Sequence, residues 1–430
     1  MRFKIKIWIL SIFCVMTVFL TVILSDTDLA PGAVKLIDLV EKQTVSKSEA
    51  YEYLMGIDAP IGENPLTQGR KKVAFILKEQ EKYLKGKGYE LSYEDGGLEN
   101  QLLLPEGELF CLLREEGCLD KIIEENLDIS ELEQKHSVLI ERYRTFIEFN
   151  VFATKTIPTF FEEYPKYQYI SAAIRLIQLK IIGLFRQGKF EEARLVFIQN
   201  VKDVTHFIKV SDTFVGKLIF VEQLSGFLDI YSILIRKYKI KQNINLELLN
   251  INEVNLDLPV AREFVLSYYS NRTLYLDQSN NEIGMFEKIG IWLGYKVNII
   301  ANEVLPLYEY TIGLSNLKPK EFSSNLGNID FKKLSFLNGI RNFYGNKVID
   351  LSRVFINLDD YVARFFDLNI KISLFNVLLD QGLFDDETLI LVNPYSEAED
   401  RLTISRNTKK LCMSGPLEDK RSLRCLHIAL

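Results

Sequence analysis

Five cysteines and three histidines carry the sharpest chemistry in this chain. Cys14 lies inside an apolar N-terminal stretch. Phe13 stands before it, where a lipidation site would have a small residue. The other four fall into two local pairs, Cys111 with Cys118 and Cys412 with Cys425. Four cysteines allow three pairings, and pairing within each cluster is the simplest. The stretch CLLREEGC closes a short loop, with Gly117 allowing the turn. Ser414-Gly415-Pro416 reads as a turn between strands that carry Cys412 and Cys425. Spacings of seven and thirteen do not fit the C-x₂₋₄-C knuckles of structural zinc. Disulfides are expected, and they suit an oxidising compartment; free thiols, each a small buried apolar residue, are the alternative.

His136, His206 and His427 share no metal-ligand spacing. His206 falls on the polar side of its helix, where exposure is expected. His427 lies two positions after Cys425, too weak a pattern for a Cys–His catalytic pair. No nucleophile elbow, phosphate loop or dinucleotide fingerprint occurs. Adjacent carboxylates recur at Glu162-Glu163, Glu191-Glu192, Asp359-Asp360 and Asp385-Asp386. Two carboxylates can hydrolyse a glycoside, yet adjacent acids on amphipathic helices more often form a solvated face or a helix start. The aromatic clusters FFEEYPKYQY and EFVLSYYSNRTLYL could line a groove or simply fill helix–helix cores. Asn271-Arg272-Thr273 fits the glycosylation sequon.

The segment that would position the chain is N-terminal. Ile7 to Ser25 holds 19 residues without a charge. As a helix it spans about 28 Å, close to the ~30 Å hydrocarbon core of a bilayer. Arg2, Lys4 and Lys6 precede it, while Asp26 and Asp28 follow. That bias keeps the N-terminus cytoplasmic. A cleaved signal peptide is the alternative, with an apolar region of about 7–15 residues and small residues at the cleavage site. Here the apolar region is longer. Cleavage after Ser25 or Ala33 would place Ile23 or Pro31 two positions earlier. An uncleaved anchor is expected. No later stretch reads as a membrane span, since Glu222 and Asp229 interrupt Ile219–Ile235.

Of 52 Lys+Arg, three precede the anchor, leaving 49 against 58 Asp+Glu beyond it. A globally basic nucleic-acid binder is excluded. With 47 % hydrophobic and 26 % charged residues, the chain has the ordinary globular mix.

The elements of the body follow from periodicity and caps. A helix is expected from about Lys47 to Met55, with Ser46 and Glu49 at capping-box spacing. Asn64-Pro65 opens the next. Residues 86–108, rich in glycine, read as an irregular connection. Ser130 and Glu133 start a helix through LEQKHSVLIERYRTFIEF. Tyr169–Arg186 is apolar nearly all round, with a narrow polar stripe of Ser171, Arg175 and Gln178; such a helix is buried. Gly188 stops it. Ala193, Phe197, Val201, Val204 and Ile208 then share one face. A third helix runs from near Asp212 to about Arg236, with Glu222, Ser225, Asp229 and Ser232 as a polar stripe. These three read as antiparallel neighbours. Further helices are expected at Pro259–Tyr269, Glu282–Leu293, Val297–Tyr310 and Leu351–Phe366. Thr388–Val392, Leu402–Ser405, Lys410–Met413 and Leu423–Leu430 read as short strands.

The turn Gly188-Lys189-Phe190-Glu191-Glu192-Ala193 resembles the inter-helix turn of tetratricopeptide repeats, over about 30 residues. No second or third copy follows at that family's period.

The expected fold is mainly α. An N-terminal transmembrane helix is followed by an irregular antiparallel helical-hairpin array, with a small C-terminal β hairpin or sheet. The expected divisions are 1–25 (cytoplasmic N-terminus and anchor), 26–128 (helical region with irregular loop), 129–380 (main helical domain) and 381–430 (strand-rich segment). The expected location is the inner (plasma) membrane, crossed once, with the body on the outer or periplasmic side. Binding or scaffolding is expected rather than catalysis, with a protein or glycan of the envelope as partner. The alternative is a membrane-tethered hydrolase of envelope glycan using dispersed carboxylates. No cofactor, metal or nucleic acid is expected.

Overall fold

A computed structural model describes residues 23–429, apart from 45–47, 86–100, 126–127, 160–161, 241–250, 252–253, 277–283, 330, 332–334, 356–357, 382–386 and 405–408. Before residue 23 it describes Met16, Thr17 and Thr21. Most of the expected anchor, the glycines of 86–97, Ser46 and the Asp385-Asp386 pair therefore lie outside the described residues.

The described residues are 67 % helical, in 16 helices, with a small C-terminal sheet region. Helices α1 (Pro31–Thr44), α2 (Glu49–Met55) and α3 (Pro65–Leu84) come first. The side chain of Asn64 caps α3 by accepting from Thr67 N–H, and Pro65 takes the first turn. Ser48 caps α2. A 3₁₀ turn at Glu108–Phe110 leads to α4 (Cys118–Glu124), α5 (Ile129–Lys135) and α6 (Ser137–Ile147).

The single helix expected through residues 131–149 is two. Asp128, not Ser130, caps α5, accepting from the N–H groups of Ser130 and Glu131. The chain breaks at His136, which sits between the two helices with φ −110° and ψ 23°.

The three long helices are α7 (Tyr167–Arg186), α8 (Phe190–Val210) and α9 (Phe214–Lys237). Gly188 turns α7 into α8 with φ +73°, a backbone region that disfavours side chains. All five residues of the expected α8 face are buried, and each of Phe197, Val201, Val204 and Ile208 is worth roughly 1.5–3 kcal/mol on transfer from water. Phe197 stacks on Tyr231 of α9, and Phe146 of α6 stacks on Phe207. Two of these helices, α7 and α9, are long and apolar enough to cross a membrane, contrary to the expectation of no later span. Each has 78 % of its most apolar window buried inside the body, which accounts for the apolar composition without a membrane.

Then follow α10 (Asp257–Leu276), α11 (Met285–Gly294), α12 (Val297–Ser315), α13 (Pro319–Asn325), α14 (Phe336–Arg341), α15 (Gly345–Phe355) and α16 (Asp359–Gln381). The helix expected over Leu351–Phe366 is divided between α15 and α16, with Leu358 buried between them.

Strands β1 (Glu387–Val392) and β2 (Glu399–Ile404) form one antiparallel hairpin. Strands β3 (Lys410–Cys412) and β4 (Cys425–His427) form another. Leu411 faces Leu426, both are buried, and β4 packs on α9 and α16.

One segment of the body is neither helix nor strand yet lies inside it. Phe152, Ala153, Thr154, Thr156 and Thr159 are buried. Buried backbone groups need partners, and here side chains supply them. Ser48 Oγ donates to the Val151 carbonyl and accepts from Ala153 N–H, both at 3.0 Å. Asp212 accepts from Thr154 N–H at 2.6 Å and from its hydroxyl at 2.7 Å. Gln80 donates to the Ile157 carbonyl at 2.6 Å and accepts from Ile157 N–H at 3.1 Å. Arg262 donates to the Thr156 carbonyl at 3.3 Å. This thread joins the start of α2, α3, the α8–α9 turn and α10 into one core.

Candidate binding groove

The cysteines stand as pairs at disulfide distance. Cys111 and Cys118 have Cα atoms 5.9 Å apart, and Cys412 and Cys425 have theirs 4.1 Å apart. The second pair sits directly across the β3–β4 register. Arg175 of α7 grips the first loop, donating to the carbonyls of Leu109 at 2.8 Å and Cys111 at 3.1 Å. Burial pushes Arg175 down to about 10. The narrow stripe on α7 thus holds a loop instead of meeting water.

The adjacent carboxylates do not converge. Glu162 is buried, accepts from Thr156 Oγ1 at 2.6 Å and pairs with Arg262. Burial raises its carboxyl, with Arg262 opposing. Glu163 pairs with Lys72 at 2.6 Å. Glu191 pairs with Arg194 one turn on. Asp359 lies in the first turn of α16, raised by burial and then by Asp360. Beside Glu162, Glu263 is pushed up to about 7, chiefly by burial.

The aromatic clusters are mostly core. Tyr167 and Tyr169 are buried, and Tyr169 donates to the Leu102 carbonyl at 2.7 Å. Asn271 of the sequon lies within α10 and donates to the Ser267 carbonyl at 2.7 Å. His427 uses its backbone N–H to reach Asp229 at 2.9 Å. Burial lowers its imidazole, with Asp229 opposing.

A cavity of about 360 Å³ opens between α6, α7 and α8. That volume is within the range of small-molecule sites. Its apolar wall comes from Ile140 and Ile147 of α6, Leu176 and Ile177 of α7, and Leu195 and Val196 of α8. Leu195 is 57 % exposed at the mouth.

The polar lining is Gln199, Asn200 and Asp203 of α8, with Tyr143 and Arg144 of α6, Lys180 of α7 and Glu133 of α5. Tyr143 donates to Asn200 Oδ1 at 3.3 Å, while Asn200 Nδ2 is committed to the Val196 carbonyl at 2.8 Å. Asp203 Oδ1 accepts from Gln199 at 2.9 Å. Its other oxygen, Oδ2, is buried and has no hydrogen-bond partner among the described residues. Burial raises the Asp203 carboxyl; Gln199, His206 and Lys202 oppose this. His206 Nε2, one turn further, is likewise buried and unpartnered, so the expected exposed histidine is half-buried beside this carboxylate. Glu133, the other carboxylate of the lining, is tied to Lys180 at 2.8 Å.

Asp203 was not singled out by its sequence context. Helical spacing places Gln199, Asn200 and Asp203 on one flank of α8. That flank was legible, but the wall opposite it comes from α6, some sixty residues earlier.

No protein family, characterised protein or solved structure matches this chain.

Proposed function

We propose that the chain is a membrane-tethered binding protein whose α6–α8 groove takes the apolar part of a small amphiphile. The observation that carries this is Asp203, which lines the apolar cavity and whose buried Oδ2 has no hydrogen-bond partner among the described residues. A buried acceptor without a donor is costly, and a ligand bringing an ammonium or hydroxyl group would satisfy it. Among the described residues the one other lining carboxylate, Glu133, is held by Lys180, so the groove offers one available carboxylate there rather than the two that glycoside hydrolysis uses. Binding is therefore favoured over hydrolysis. The tether is the uncharged Ile7–Ser25 stretch, crossing the inner membrane once, with the body on the outer side.

The test compares octylamine, octanol and octanoate by calorimetry on the purified full chain. The amine should bind best. Asp203→Asn should weaken the amine about tenfold while sparing the alcohol. Ile177→Trp, which fills the cavity, should block all three. Unchanged binding in Ile177→Trp would remove the groove from consideration. Retention of the chain in carbonate-washed membranes tests the tether separately.

A further inference from the structure

Several of the most exposed apolar side chains lie on α11 and α14. Phe286 is 90 % exposed, Phe336 82 % and Met285 76 %. Ile289, Trp292 and Leu337 are exposed as well. On α11, Met285, Ile289 and Trp292 recur at helical spacing, with Phe286 beside them, and make one face. The opposite side of α11 is built to receive an aromatic pair. A Cβ at Gly290 would lie 2.7 Å from the Tyr344 ring, and one at Gly294 would collide with Phe343. Tyr344 N–H donates to the Gly294 carbonyl at 2.9 Å. The inner side of α11 is thus fixed by glycines and rings, and its apolar side is left outward.

This outward face lies beside the point where the N-terminal apolar stretch enters the body. Arg341, at the end of α14, donates to Ser25 Oγ at 3.0 Å. Asp26 accepts from the N–H groups of Asn298 at 2.9 Å and Ile299 at 3.2 Å, in the first turn of α12. That turn follows α11 after two residues. Asn302 accepts from Ala30 N–H at 2.7 Å and donates to the Asp28 carbonyl at 2.8 Å. Residues 26–30 are therefore pinned to the start of α12, and Ser25 is held by Arg341, the last residue of α14.

We infer that α11 and α14 lie on the bilayer surface, their apolar side chains entering the headgroup–acyl boundary of anionic lipid. Three observations favour a bilayer over another occupant. The uncharged stretch ends at Ser25, which Arg341 at the end of α14 holds, so a membrane-inserted Ile7–Ser25 would bring α14 to the membrane. Trp292 on the outward face is of a residue type enriched at membrane interfaces. Residues 335–347 carry Arg341 and Lys347 and no acid, against the acidic balance of the chain, and basic residues favour anionic headgroups. The inference rests on the tether proposed above, and its test separates the two.

The chain has two tryptophans, Trp8 and Trp292. Trp8→Phe leaves Trp292 as the sole reporter. The full chain is placed in phosphatidylglycerol–phosphatidylcholine vesicles with or without bromine on the acyl chains. Trp292 emission should fall about twofold in the brominated vesicles, as for an interfacial helix, and aqueous iodide should quench it little. Met285→Glu with Phe286→Glu should restore the emission while the chain stays in the carbonate-washed pellet. Equal emission in both vesicles overturns the inference. Shielding from bromine and iodide alike also overturns it, because a second copy or residues 1–24 would then cover the face. If the chain is found in the soluble fraction, the tether fails. The soluble chain added to the same vesicles then decides the face by the same quenching.

Discussion

Residues 151–159 and strand β4 are both non-helical backbone buried against helices, and they are held by different means. The 151–159 thread is served by several separate side chains: Ser48, Gln80, Asp212 and Arg262 each meet a different residue. Strand β4 depends on one cluster. Asp229 accepts from His427 N–H at 2.9 Å, and Ser232 donates to the His427 carbonyl. Lys371, fully buried, donates to Asp229 at 2.6 Å and to Ser225 at 2.7 Å. Burial lowers the Lys371 ammonium, and Asp229 opposes that shift. Distributed hydrogen bonds should fail gradually, whereas a paired buried charge should fail all at once.

Removing the charge gives the largest effect. Lys371→Met leaves Asp229 buried without its partner, and breaking such a pair costs about 3–5 kcal/mol. Urea unfolding should show that loss. The double variant Lys371→Met with Asp229→Leu removes both charges and leaves chiefly the His427 N–H unpaired, at about 1–3 kcal/mol. It should therefore be more stable than Lys371→Met alone. If the double variant is the weaker, the cluster is not a charge pair.

Covalent closure should rank next. Cys412→Ser with Cys425→Ser opens a loop of sequence separation 13, worth about 2–3 kcal/mol in the chain-entropy model. The cost should be local. Amide exchange should quicken in β3 and β4, while α7–α9 keep their protection. Thiol labelling of the denatured, unreduced chain tests the pairing itself. Free thiols at Cys111, Cys118, Cys412 and Cys425 would remove both bridges.

Against these, Gln80→Ala should cost about 1–3 kcal/mol, since Ile157 loses both its backbone partners. Ser48, Asp212 and Arg262 still hold the rest of the thread, so cooperativity should survive. A split transition in Gln80→Ala would mean the thread is as coupled as β4, and the contrast would vanish.

Local pattern made part of this visible in the sequence. The α8 face and the Asn64-Pro65 start were legible because caps and periodicity are encoded within a few residues. The short C-terminal strands were legible from β-branched runs and turn residues. The stripe of Ser225, Asp229 and Ser232 on an otherwise apolar helix was visible too, but its meaning was not. A polar stripe on a buried helix requires buried partners, and these are Lys371 and His427, more than 140 positions away. The groove shows the same limit: Gln199, Asn200 and Asp203 were on one flank, and nothing local specified a cavity facing them. The break at His136 was missed because the apolar spacing continues across it.

The smallest effect concerns the acid beside the thread. Arg262 serves Glu162 directly, and Glu263 lies close enough to feel both. Burial pushes Glu263 up to about 7, with Arg262 opposing and Glu162 adding to the rise. The folded chain then binds more protons than the unfolded chain between about pH 4.5 and 7. Its contribution to stability is full below that window and is lost as pH rises through about 7. Glu263→Gln removes the loss. The variant should match the parent at pH 4 and exceed it by on the order of 1–2 kcal/mol at pH 8, allowing for partial solvent screening. Urea midpoints at pH 4, 6 and 8 measure this directly. An equal difference between Glu263→Gln and the parent at all three values would place Glu263 in water, outside the thread's electrostatics.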